Sequence, residues 1–246
     1  VTVRIAAVGD VHMDTDVLGR YRAALEELPD LADVLLLAGD LTRHGTVEET
    51  ECVTKEFGEL GIPVIAVLGN HDHHSDSGDL VTKVLTDAGI TVLEGDSVEI
   101  DCRGVTVGVA GVKGFGGGFA GKCASAFGER EMKNFVRTTE ESADRLRGAL
   151  RSLRSDVIIA LTHYAPIPET LMGEPPEIYP FLGSYLLGEA IDAAPTALAV
   201  HGHAHAGKAS GRTPGGIRVR NVAQPVLRQA YAVFHLDDDR HALAVP

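Results

Sequence analysis

Five polar stretches of this chain hold most of the residues that could do chemistry. In order they are Asp10-Val11-His12, Gly39-Asp40, Gly69-Asn70-His71-Asp72, Thr162-His163, and His201-Gly202 followed by His203-Ala204-His205. Each residue has an ordinary use when taken singly. Asp at a helix start caps it, Gly-Asn favours a turn, and a lone His is often a satisfied core residue. The set is different. The chain has 11 His, and they bunch at the ends of apolar runs, which suggests metal chemistry more than packing.

The elements that must position these groups follow from the apolar pattern. Val3–Val8, Val34–Ala38 and Ile62–Leu68 are continuous apolar runs, as expected of strands covered on both faces. Between them, Leu18–Leu28 has the spacing of one helical face and is closed by Pro29, and Val47–Leu60 reads as a second helix with an acidic start. Such units join parallel strands by right-handed crossovers. Leu80–Ala88 predicts a short helix, and Thr91–Leu93, Val98–Asp101 and Val105–Ala110 three short strands. A glycine-rich loop, Gly111–Gly121, precedes a long charged helix, Glu129–Leu153, read as a solvated outer helix. Val157–Leu161 and Ala197–Val200 are further strands, separated by a proline-rich loop at Tyr164–Pro180 and a helix at Ser184–Ala194. Ile217–Val222 and Ala230–Leu236 close the chain, and the acidic run Asp237–Asp239 reads as a surface turn. In α/β sheets ligands sit beyond the carboxyl ends of strands, so the polar clusters should gather at one edge of the sheet. With no repeat or linker, residues 1–246 are expected to form a single domain.

Composition narrows the class. The chain has 246 residues, 44% hydrophobic and 23% charged, which excludes wholesale disorder. No apolar run approaches the ~20 residues of a membrane span, and Val1–Val8 lacks the basic flank of a secretory leader. The net charge of −13 disfavours a grip on nucleic acid through a basic surface, without excluding it. Three scattered cysteines suit a reducing cytoplasm.

The order D-x-H, G-D, G-N-H-D, H, G-H-x-H across residues 9 to 205 resembles the calcineurin-like metallophosphoesterase superfamily, which groups phosphatases, nucleases and class III cyclic-nucleotide phosphodiesterases. The resemblance is to its small bacterial members. It implies a four-layer α/β/β/α sandwich of two mixed β-sheets flanked by helices. It further implies two divalent ions, with Asp10, His12 and His205 on one, Asn70, His163 and His203 on the other, and Asp40 bridging both. Mixed imidazole, carboxylate and amide donors suit Mn, Fe or Zn. A pair of such ions can bind a bridging hydroxide and clamp a phosphate. His71 would protonate the leaving group, and Asp72 would fix the His71 tautomer.

The chain departs from the family where many relatives carry an acid, in G-D-x-x-[DE]-x-G. Here Gly39–Gly45 places Arg43 at that position, followed by His44. Either could reach a substrate; the plainer alternative is that both cap or solvate a loop. Lys113 is a further candidate phosphate contact. Gly114–Phe119 lacks the Walker pattern and reads either as a loop of unusual dihedrals or as a mobile wall whose Phe115 or Phe119 stacks on a ring. His73 and His74 are expected to be solvated, and His201 packed rather than ligating. The expected activity is hydrolysis of a small phosphodiester, with monoesters behind. A nuclease, a phosphoprotein phosphatase and a non-catalytic scaffold are the rivals. The sequence does not set the oligomeric state.

Overall fold

A computed structural model describes residues 2–237 and 242–244. Asp238 and Asp239 of the acidic run lie outside them. In chain order the elements are β1 (Thr2–Val8), α1 (Arg22–Glu26), α2 (Leu28–Leu31), β2 (Val34–Ala38), α3 (Val47–Phe57), β3 (Val64–Val67), α4 (Gly78–Asp87), β4 (Thr91–Val92), β5 (Asp96–Cys102) and β6 (Val105–Val112). There follow β7 (Gly118–Phe119), β8 (Lys122–Cys123), α5 (Arg130–Ser152), β9 (Val157–Thr162), α6 (Tyr179–Leu182), α7 (Tyr185–Asp192), β10 (Leu198–His201), β11 (Ser210–Arg212), β12 (Arg218–Asn221), α8 (Gln224–Leu227), β13 (Ala232–Asp237) and β14 (Ala242–Ala244).

The strands form two six-stranded mixed sheets, ordered β14-β13-β1-β2-β3-β4 and β11-β12-β10-β9-β6-β5. In the first, β1 to β4 run parallel and β13 lies antiparallel to β1. In the second, β6, β9, β10 and β12 run parallel. Alternation along the strands explains the layering. In β1, Val3, Ile5 and Ala7 face the second sheet, where they meet Val107, Ile159 and Val200 in one buried cluster. Ala6 and Val8 point outward into a second cluster with Leu25, Val53, Phe57, Val81 and Leu85 of the helices. A third cluster buries Leu146 and Leu150 of α5 and Leu187 and Ile191 of α7 against the outer face of the second sheet. This is the four-layer sandwich.

Several elements differ from their sequence expectation. The helix expected over Leu18–Leu28 is only α1, and Pro29 does not close it. Pro29 sits in the first turn of α2, where its missing N–H costs nothing. Helix α3 stops at Phe57 rather than Leu60 because Gly58 is extended; its start is set by a capping box between Thr46 and Glu49. The long helix α5 is exposed along much of its length, but it buries Thr139, Ala143, Leu146 and Leu150 and so covers the second sheet rather than standing free. The polar clusters gather at one edge as expected, but that edge belongs to two sheets: β1, β2 and β3 supply three of them, and β9 and β10 supply the rest.

Candidate metal centre

The site forms where β1, β2 and β3 of one sheet and β9 and β10 of the other end side by side. Asp10 (φ 57°), His12 (44°), Asp40 (50°) and His203 (68°) all adopt the left-handed backbone, which is uncommon for residues with a Cβ. Each strand thus turns sharply as it ends and aims its side chain across the gap. Strained backbone of this kind clusters at functional sites.

Two glycines of the motifs have a steric role. A Cβ on Gly69 would collide with the Asp40 carboxylate, and one on Gly202 would collide with the Asp10 carboxylate and the Ala38 carbonyl. Each glycine makes room for an acid from a different strand.

The side chains converge in overlapping groups. Ligand atoms of Asp10, His12 and His205 lie within 4.8 Å of one another, as do those of Asp40, His163 and His203. His205 Nε2 is 2.9 Å from Asp10 Oδ1, and the Asp10 carboxylate accepts the His203 backbone N–H at 2.9 Å. His163 Nε2 is 3.0 Å from Asn70 Oδ1 and 3.3 Å from Asp40 Oδ1. The structure therefore brings together all seven expected ligands. His71 enters a third group with His12 and Asp40; its Nε2 is 4.0 Å from Asp40 Oδ2.

The electrostatics are those of a cation site. Asp10 and Asp40 are 2% and 1% exposed. Burial opposes ionisation of Asp40, but the His163 ring and the His71 backbone N–H hold its carboxyl well below the usual range. Burial likewise opposes charge on His163, yet Asp40 raises its pKa to about 9. Burial pushes His203 down to about 3 and lowers His12. A hydrogen bond to Asp10 raises His205. Two buried carboxylates facing clustered imidazoles, with an amide oxygen alongside and no thiolate, fit a divalent cation that accepts mixed N and O donors.

Backbone carbonyls orient three of the rings. Ala38 O lies 2.9 Å from His163 Nδ1, Arg43 O 2.8 Å from His71 Nδ1, and Phe181 O 3.3 Å from His203 Nε2. The remaining nitrogen of each ring is left for the site, the usual arrangement for ligating imidazoles. None of these carbonyls has a side-chain signature, and sequence reasoning missed all three.

Four sequence expectations need correction. Asp72 does not set the His71 tautomer, because Arg43 O does. The Asp72 carboxylate is fully buried and instead accepts from the backbone N–H groups of Gly69, Leu41 and Thr42 and from the Thr42 hydroxyl, at 2.6 to 3.2 Å. It clamps the β2 loop to the β3 loop. Arg43 does not present a free charge to a substrate: Asp14 and Asp16 each bind its guanidinium at 2.9 Å. His44 is held by Glu49, whose carboxylate is 2.8 Å from its Nδ1. Of the two readings of Gly114–Phe119, the loop of unusual dihedrals holds, with Gly114, Gly117 and Gly118 at positive φ, whereas the mobile wall gives way to a pinned backbone. The N–H groups of Gly117 and Gly118 donate to Pro180 O and Gly183 O, and Phe119 is buried against Tyr179, which leaves Phe115 alone facing Tyr164.

His73, His74 and His201 fall as the sequence suggests. His73 and His74 are exposed. His201 is fully buried, with Nε2 2.8 Å from the Thr170 hydroxyl and Nδ1 2.7 Å from Gly202 O. Lys113 stands beside the site, where its carbonyl accepts the N–H groups of His163 and Tyr164.

The chain belongs to the calcineurin-like phosphoesterases: the model of that family matches residues 3–207. Its fold is similar to that of phosphopantetheinyl hydrolase (PptH) from Mycobacterium tuberculosis, at 17% identity and TM-score 0.62, covering 89% of this chain and 88% of that one. It is also similar to a putative 5'-nucleotidase from Staphylococcus aureus in complex with alpha-ketoglutarate, at 14% identity and TM-score 0.61, covering all of this chain and 53% of that one. A third similar structure is GAP50, the anchor in the inner membrane complex of Plasmodium, at 13% identity and TM-score 0.60, covering 96% of this chain and 81% of that one. These likenesses concern the fold. No curated protein matches the chain. No helix among the described residues is long and apolar enough to cross a membrane.

Proposed function

We propose that this chain hydrolyses small phosphodiesters, and monoesters less well, at a two-metal centre. Asp10, His12 and His205 would hold one ion, Asn70, His163 and His203 the other, and Asp40 both. Divalent ions bound there supply Lewis-acid charge to the phosphoryl oxygens and activate water.

The chain's own groups do the rest. The two acids and four imidazoles fix the charge between the sheets, in a site shielded from water at its base. His71, 42% exposed at its side chain, keeps its Nδ1 proton on Arg43 O and offers Nε2 to the leaving oxygen. Protonated there, it transfers a proton as the P–O bond breaks, so that an alkoxide need not depart as an anion. The observation that carries this reading is the convergence of all seven ligand side chains from five strand ends, with His71 Nε2 beside Asp40. The preference for diesters is supported by charge. With Arg43 neutralised by Asp14 and Asp16, Lys113 is left as a cationic side chain beside the site, and one such charge suits one negative charge on the substrate better than two.

GAP50, named as an anchor, keeps a scaffold reading in view. A scaffold can lose ligands without cost, whereas every ligand position here is filled. The net charge of −13 argues against a nuclease that grips a long polyanion.

The test is hydrolysis of bis-p-nitrophenyl phosphate beside p-nitrophenyl phosphate, on protein stripped and refilled with Mn²⁺, Zn²⁺, Fe²⁺ or Mg²⁺. Metal-dependent turnover, faster on the diester and abolished in Asp40→Asn, is the expected result. No turnover with any metal, despite tight binding of two ions, favours the scaffold.

A further inference from the structure

A path of aromatic rings leads outward from the metal centre. Tyr164 packs on His203 with ring centroids 4.4 Å apart. Phe115 lies 5.9 Å from Tyr164, Phe135 lies 5.0 Å from Phe115, and Phe181 lies 6.3 Å from Phe135. The path then returns to its start, because the Phe181 carbonyl faces His203 Nε2 at 3.3 Å. Along it the rings pass from buried to open: Tyr164 is 7% exposed and Phe181 is 61% exposed.

A single cation accompanies the strip. The Lys113 ammonium lies 5.3 Å from the centroid of Phe115 and 5.5 Å from that of Tyr164. Among the described residues it forms no ion pair. The carboxylate of Glu94 is taken by Arg145 at 2.9 Å and by the Lys113 backbone N–H at 3.0 Å. A half-buried ammonium held only by aromatic faces has donors to spare, and burial lowers its pKa. An anionic oxygen beside the metal centre would satisfy it.

We propose that Lys113 and the strip of Tyr164, Phe115, Phe135 and Phe181 form a substrate subsite. The ammonium holds an anionic phosphoryl oxygen, and the strip holds a planar organic group esterified to the same phosphate. This rests on the phosphoesterase reading and narrows it to aryl, nucleoside or similarly ring-bearing esters. Inorganic polyphosphate and phosphorylated Ser or Thr offer the strip no ring. The glycines of Gly114–Phe119 then serve the strip, since a Cβ on Gly116 would strike the Phe135 ring and the Pro180 carbonyl.

The test compares phenylphosphonate with methylphosphonate, which share a head group and resist hydrolysis. Their binding to the metal-loaded full chain is measured by calorimetry. Phenylphosphonate is expected to bind about ten-fold more tightly, the size of one good aromatic contact. Phe181→Ala should shrink that ratio, and so should Phe115→Leu, which also removes one of the two aromatic faces under the Lys113 ammonium. Lys113→Met should weaken both ligands alike, by about ten-fold, and Lys113→Arg should restore most of the loss. Equal affinity for the two phosphonates, or a ratio that survives both Phe substitutions, overturns the strip while the phosphoesterase reading stands. A Lys113→Met protein that binds both ligands as tightly as the parent overturns the role of the ammonium. Binding of neither phosphonate by protein that holds its metals overturns the site reading and the subsite with it.

Discussion

The carbonyl oxygen of Arg43 lies 2.8 Å from Nδ1 of His71. In the neutral ring that contact keeps the proton on Nδ1 and turns Nε2 toward Asp40. A carbonyl does not titrate near neutral pH. The ring therefore keeps its orientation over a range in which a carboxylate partner would lose its charge.

His71→Asn should separate acid catalysis from metal binding. Turnover of a diester with an alkyl leaving group is expected to fall by about 10² to 10⁴-fold, the usual worth of a positioned acid. A p-nitrophenolate leaving group needs little protonation and should be spared. Metal content, read by elemental analysis, should stay at the parent level. If the variant instead loses metal, His71 is a ligand, as its grouping with His12 and Asp40 also permits.

Asp72→Asn addresses the clamp. Its carboxylate accepts four hydrogen bonds in full burial, and an amide would set its own N–H₂ against backbone donors. Denaturant unfolding should show a loss of about 3 kcal/mol. The His71 tautomer, followed by ¹⁵N chemical shifts, should not change. A changed tautomer would return Asp72 to the orienting role.

Gly202→Ala should damage the ligand set more than the fold. Its new Cβ meets the Asp10 carboxylate and the Ala38 carbonyl, so Asp10 must swing away from His205. Far-ultraviolet dichroism should remain that of the parent, while affinity for metal falls by about 10- to 100-fold. Parent-level affinity would show that Asp10 can move without cost.

His201 should add to the loss of stability in acid. It is fully buried beside neutral partners, and burial pushes its pKa down to about 4. The unfolded value is higher, near 6.5. The stability that rests on a neutral His201 is therefore fully present above pH 6.5 and is lost as the pH falls from there toward 4. The slope is about 1.4 kcal/mol per pH unit for this group. His201→Gln cannot take the proton, so the difference in unfolding free energy between pH 7 and pH 5 should be smaller in the variant. Equal differences would mean that His201 does not titrate on unfolding.

The ends of the strands were legible because burial on both faces makes a strand an unbroken apolar run, and the run stops where the chain turns into the polar site between the sheets. Val34–Ala38 and Gly39-Asp40 show the transition within one residue. Glycine next to an acid or amide was legible too, although its reason, room for a carboxylate from another strand, needs the third dimension. Pro29 misled because proline ends a helix and also begins one, and only the backbone around it decides which. Arg43 and His44 sit beside a ligand in sequence, but their partners Asp14, Asp16 and Glu49 absorb them. The aromatic strip was out of reach. Residues 115, 135, 164 and 181 have no common period, and two of the three ring-orienting groups at the site, Ala38 O and Phe181 O, belong to residues with no polar side chain.

Because the ligands come from both sheets, the centre can form only after the sheets have docked. Asp10 and His205, 195 residues apart in the chain, must meet before an ion finds its donors. Ions that bind so late contribute little to the rate of folding and much to the rate of its reversal. In a chevron plot, metal should leave the refolding limb in place and lower the unfolding limb. The centre would then act as a latch on the finished protein rather than as a template for making it.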